Sequence, residues 1–179
     1  MKNLPHVKIG LLLAVLAMLF GFGLGALFGA SEATVKDKLK ADGQAALTEM
    51  YQGDTAEMEK VVSKSWAYML RAHLHAGVMG IGAVAMILLI AFSNAGSADT
   101  KITSIALGAG ALLYGLFWML AGFKAPSVGG TGAAKEAYYW IAWPGSGAYI
   151  LATLNVLRII ITSWPKYSPA EYRTNQPLY

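Results

Sequence analysis

Four stretches of this 179-residue chain are long and apolar enough to cross a bilayer. A spanning helix needs roughly 20 consecutive apolar residues. The runs cover about residues 9–30, 66–92, 102–123 and 138–164. In hydrocarbon, a lone segment can satisfy its backbone N–H and C=O groups only as a helix. Hydrophobic residues make up 56% of the chain and charged ones 13%, the balance of an integral membrane protein. The expected fold is all-α, a four-helix transmembrane bundle forming one domain over residues 1–179. Lys2 and Lys8 precede the first run, and Ser31-Glu32-Ala33 after it has the small-x-small form of a signal cleavage site. The run is longer than a usual signal core, so it reads as a retained first helix.

Residues 31–65 are the one sizeable extramembrane piece before the polar tail at 165–179. Lysines and carboxylates alternate through it and proline is absent, which predicts solvated helix. Gly43 and Gln52-Gly53-Asp54 are the natural breaks. Asp54-Thr55-Ala56-Glu57 has capping-box spacing. No breaker follows until Gly77, so the second helix is expected to start near Thr55 and run through the membrane to Phe92. Asn94–Asp99 reads as a tight polar turn and Ala125–Gly132 as a flexible, glycine-rich one. Pro144-Gly145-Ser146-Gly147 predicts a kink or local unwinding near the start of the fourth span.

Loop charge sets the orientation. Lys2, Lys8, Lys101, Arg158, Lys166 and Arg173 fall on one side if the spans alternate. The positive-inside rule then places both termini in the cytoplasm, in the inner or plasma membrane of the cell. The formal net charge is +4, with no block of Lys or Arg, so the expected partners are the lipid bilayer and other membrane subunits or further copies, and no nucleic acid. There is no cysteine. Iron–sulfur clusters, thiolate zinc sites and disulfides within the chain are excluded. No nucleophile triad, paired carboxylates or nucleotide motif is present, which argues against a self-contained enzyme.

The segment Arg71-Ala-His73-Leu-His75-Ala-Gly77-Val-Met-Gly80 opens the second span. Ionisable groups at such a place are costly and mark functional sites by default. At 100° per residue, His73 and His75 point about 160° apart and cannot share one metal ion. His73 lies on a stripe with Ala76, Gly77, Gly80 and Val84, small enough for a backbone or a flat ring to approach. His75 lies with Arg71, Met79, Gly82 and Met86. His73 is therefore the candidate metal ligand, to a b-type haem, with Gly77 and Gly80 giving the ring room. His75 and Arg71 complete a cofactor-binding end for haem or quinone, with Trp66 and Trp140 among the aromatics on that membrane face. The alternative is that the histidines hydrogen-bond to neighbouring helices and interfacial water, and that the aromatics are an interfacial belt.

Ala72-His73-Leu74-His75 followed by Gly80 resembles the start of the haem-ligand helix in the catalytic subunits of haem-copper oxidases and nitric-oxide reductases. The resemblance covers about ten residues. It implies one haem-type ligand, at His73 or His75. The other histidines of that family's copper and second haem sites are absent, and His6 precedes a different span.

Gly21, Gly25 and Gly29 form a small-xxx-small stripe on the first span, the pattern of close helix packing. Gly108, Ala111 and Gly115 repeat it on the third. In the fourth, Asn155 is expected to hydrogen-bond within the bundle and Arg158 to snorkel to the interface. Two readings follow: a redox-associated membrane subunit with a haem or quinone site at the His73/His75 end, or an accessory subunit that packs in a larger complex through glycine-striped helices, without a cofactor.

Overall fold

A computed structural model describes residues 3–165. The chain is all-helical over these residues, and four of its helices are long and apolar enough to span a membrane. It is a multi-pass membrane protein. The helices are α1 (Lys8–Ala45), α2 (Leu47–Tyr51), α3 (Thr55–Ala91), α4 (Ser97–Lys124), α5 (Thr131–Ala137) and α6 (Tyr139–Ser163). Lys2, Lys166, Tyr167, Arg173 and the tail beyond residue 165 lie outside the described residues.

α1 and α3 are each about 55 Å long at 1.5 Å per residue, well beyond the bilayer core. α1 carries straight from the membrane into the extramembrane segment, bending at Ser31 (φ −141°, ψ 31°). The expected break at Gly43 falls at Ala46 instead, because Gly43 is buried against Met58 of α3. Gln52 (φ 53°) and Gly53 (φ 82°) reverse the chain. Asp54 then caps α3, its carboxylate accepting from the Glu57 N–H at 2.9 Å.

Within the membrane α1, α3 and α4 pack against one another, and α6 lies mainly on α4. Each crossing is made where one helix has no side chain. Gly21 of α1 faces the Gly77 backbone of α3, and Gly10 faces the Ser104 backbone of α4. Gly115 of α4 faces Ala76 of α3, and Gly110 of α4 faces Gly145 and Tyr149 of α6. A Cβ on Gly25 would lie 2.5 Å from Cε1 of the His73 imidazole. Gly29 is different: nothing approaches its Cβ position within 4 Å, so the expected three-glycine contact uses only Gly21 and Gly25. The stripe on α4 also divides, since Gly108 meets α1 and Gly115 meets α3.

Polar links close the end where the described chain begins and ends. Buried Asn3 donates through Nδ2 to the Ser93 and Ala95 carbonyls at 3.2 and 3.1 Å. The Asn94 N–H donates to the Ser163 carbonyl at 2.8 Å. Asn155 of α6 donates to Asp99 and to Thr103 of α4, both at 2.7 Å. Arg158 pairs with Asp99 and donates to Asn155 Oδ1 at 2.7 Å. Asn155 thus bonds within the bundle, and Arg158, expected to reach for the interface, has an acidic partner there.

The opposite end is a small folded cap. Residues 125–132, expected to be a flexible turn, form a 3₁₀ turn (Ala125–Val128) and the start of α5. Ala125 and Ala134 pack with Ala46, Tyr51, Met58 and Val61 from the α1–α3 hairpin. The Tyr51 hydroxyl donates to the Pro126 carbonyl at 2.7 Å, tying hairpin to loop. The fourth span also departs from expectation: α6 is helical through Pro144, and the break precedes it at Tyr138 (φ −120°, ψ 14°). Pro144 is the sixth residue of α6, so its ring opposes the Trp140 carbonyl and it supplies no N–H to it.

Two outcomes follow from this packing. Gly25→Leu should displace the His73 ring and destabilise the bundle by about 2 kcal/mol, the usual cost of overpacking, whereas Gly29→Leu should leave the monomer's Tm unchanged. Thermal melts of the two variants in one detergent check this, and equal losses would contradict it. At the cap, burial and then the nearby Glu57 carboxylate push the Tyr51 phenol above its ordinary pKa of 10.0. The folded state favours the neutral phenol, so its contribution is complete below that ordinary pKa and is lost as pH rises through the higher folded value. Tyr51→Phe should cost about 1 kcal/mol at neutral pH and flatten the alkaline limb of the stability curve. A variant as alkali-sensitive as the parent would contradict the assignment.

Candidate functional site

The two histidines near the mouth of α3 face different neighbours, as their angular separation requires. His73 turns to α1. Its Nδ1 lies 2.7 Å from the Gly21 carbonyl oxygen, so Nδ1 carries the proton and donates. That bond leaves Nε2 with the lone pair. A ligating histidine is often oriented by this kind of backbone bond. Haem, however, requires space beside the ring as well as a lone pair.

The packing does not supply that space along the His73 stripe. Gly77 meets Gly21, and the Cβ position of Gly80 lies 2.8 Å from Met18 and 3.0 Å from the Ala14 carbonyl oxygen. α1 fills the strip expected to admit a porphyrin. Among the described residues no group of three or more His, Cys, Asp or Glu side chains converges as a metal site. α1 thus occupies the side of His73 that carries Gly77 and Gly80: Gly21 crosses the Gly77 backbone, and Met18 packs against Gly80.

His75 turns to α4. Its ring stacks on Tyr114 with centroids 5.1 Å apart and an interplanar angle of 27°, and lies 5.9 Å from the Trp118 ring. Arg71, one turn away, places its guanidinium 5.2 Å from the Tyr68 ring and 5.0 Å from the Trp118 ring. Such cation–π contacts contribute about 0.5–2 kcal/mol each and hold an exposed cation against the bundle at the interface. Trp118 is further ringed by Tyr68 and Phe117, and its buried indole N–H has no acceptor among the described residues. Farther along the same α3 stripe, the Tyr149 hydroxyl of α6 donates to the Met79 carbonyl at 3.1 Å, next to Gly82.

The other two expected members stand apart. Trp66 packs edge-on to Phe28 of α1 at 5.1 Å and lies under the Lys36 ammonium at 5.0 Å. Trp140 is 71% exposed on the outer face of α6, with Trp143 beside it at 72%. Neither walls the histidines. Trp140 belongs to the lipid interface, where an indole places its ring in the headgroup region.

Sequence reasoning did not single out the groove on the far side of the Tyr114–Trp118 wall. It lies between α4 and α6, has a volume of about 280 Å³, and is lined by Tyr114, Phe117, Trp118, Tyr139 and Trp143, with Lys135 of α5 contributing to its lining. The signal available was Tyr114, Phe117 and Trp118 at helical spacing on one face of the third span. Nothing in the sequence indicated that α5 would bring Lys135 to it. Compared with protein-family models, curated proteins and solved structures, the chain finds no match.

Proposed function

We propose that this chain is a structural or accessory subunit that packs within a larger membrane assembly. One observation carries the reading: the histidine and glycines that a haem would need are already used to close α1 onto α3, with Nδ1 of His73 bonded to Gly21 and Gly80 against Met18.

The outward face of α1 gives this role a surface. Gly23, Ala26 and Ala30 are exposed, and nothing lies within 4 Å of the Cβ position of Gly23. Their spacing of three and four residues follows one helix face. A face this shallow fits another subunit's transmembrane helix, whose backbone gains van der Waals contact that mobile lipid chains do not hold in place.

The orientation is proposed from charge. Lys8, Lys101 and Arg158 lie at the end shared by Asn3 and Ser163, which the positive-inside rule assigns to the cytoplasm of the inner or plasma membrane. Cysteines at Gly53 and Asn94 should label from opposite sides, Asn94 from the cytoplasm. Labelling of Asn94 from outside would reverse the assignment.

The role is tested on protein extracted in mild detergent from its native membrane. Gly23→Leu should keep the parent's Tm yet reduce the mass of the particle that contains the chain, and the purified subunit should show no Soret absorption. A particle of monomer mass for parent and variant alike would overturn the assembly role. A Soret band lost in His73→Ala would overturn the reading of His73 as a packing residue.

A further inference from the structure

We infer that the groove between α4 and α6 binds the head group of a membrane quinone: a flat, carbonyl-bearing ring with an apolar tail. The inference is independent of the packing role and leaves it intact.

The walls come first. Tyr114, Phe117 and Trp118 line one side, and Tyr139 and Trp143 the other. Aromatic rings lining an open groove favour a flat ring, which gains stacking contact against them. At about 280 Å³ the groove is large enough for one substituted ring. The Tyr114 wall is held from behind by the His75 stack at 5.1 Å, and Trp118 by Arg71 at 5.0 Å, so this side is braced before a ligand arrives. A braced wall loses little conformational freedom on binding.

The polar groups then narrow the chemistry. Lys135 lines the groove and makes no ion pair among the described residues. The Ser146 hydroxyl, also in the lining, donates to the Ala142 carbonyl at 2.7 Å and so offers no second donor. One cationic donor at one place suits a ring carbonyl, a single neutral acceptor. Beyond the groove the α6 surface is lipid-facing and apolar: Ile150, Leu151, Leu154, Leu157 and Ile161 are each more than half exposed. An apolar tail leaving the slot along α6 stays in hydrocarbon.

The test uses the full chain in phosphatidylcholine nanodiscs, titrated with a decyl-tailed benzoquinone and read by quenching of tryptophan fluorescence. Quenching should saturate near one quinone per chain. Lys135→Gln should weaken binding about tenfold, the effect of losing one charged hydrogen bond, while Lys135→Arg should stay within about threefold of the parent. His75→Ala, which removes the brace and not the groove lining, should weaken it less than Lys135→Gln. Quenching that rises without saturation and is equal in parent and Lys135→Gln is membrane partition, and it would overturn the proposal. Displacement of the quinone by phosphatidylglycerol, lost in Lys135→Gln, would overturn it in favour of an anionic-lipid site.

Discussion

Backbone-to-backbone contact at glycine is the interaction on which the rest of this bundle depends. Between helices in lipid there is little hydrophobic driving force, because a lipid tail is as apolar as a leucine. Association must come from close packing and from polar bonds. Gly21 against Gly77, Gly10 against Ser104, Gly115 against Ala76 and Gly110 against Gly145 bring the helix axes near enough for both. His73 shows the two working together. Its Nδ1–H reaches the Gly21 carbonyl because neither Gly21 nor Gly25 places a side chain in between.

Polar groups then fix what packing alone leaves loose. α6 is the most lipid-exposed of the four long helices and lies mainly on α4, so sliding along α4 would forfeit little apolar contact. Asp99, Thr103, Asn155 and Arg158 set its register through a connected set of bonds. Within a set of this kind each member is oriented by the next, and removing one leaves others unpaired at the membrane boundary. Asn3 does the same for the start of α1. At the opposite end Tyr51 fastens the hairpin to the α4–α5 loop. The bundle is pinned at both membrane faces and packed by shape between them.

The histidines separate two things that a sequence motif joins. A histidine at a helix mouth with glycines one and two turns on has the form of a haem site. The same form is a packing site when a second helix takes the space. Here α1 arrives with Gly21 and Gly25 at the height of His73 and packs against it. The aromatic groups divide in a similar way. Trp66 and Trp140 share a membrane face with His75 but not its surroundings, while Tyr114 and Trp118, on the neighbouring helix, form its wall and that of the groove behind.

Hydropathy, capping and helical period were legible without coordinates because each is a local property. They determined the four spans, the start of α3 at Thr55, and the opposite directions of His73 and His75. The tertiary structure decided which neighbour each direction meets. Gly21, Gly25 and Gly29 look equivalent at four-residue spacing, yet each step of four turns about 40° further around the helix, so Gly29 faces away from α3 while its neighbour Phe28 keeps the contact through Trp66. Arg158 and Asp99 are 59 residues apart in sequence, and no local pattern announces their pairing. Lys135 joins the aromatic groove only because the segment after α4 coils into a short helix instead of a loose turn. Period and composition decide what a helix can present, and the crossing geometry of its neighbours decides what is presented to it.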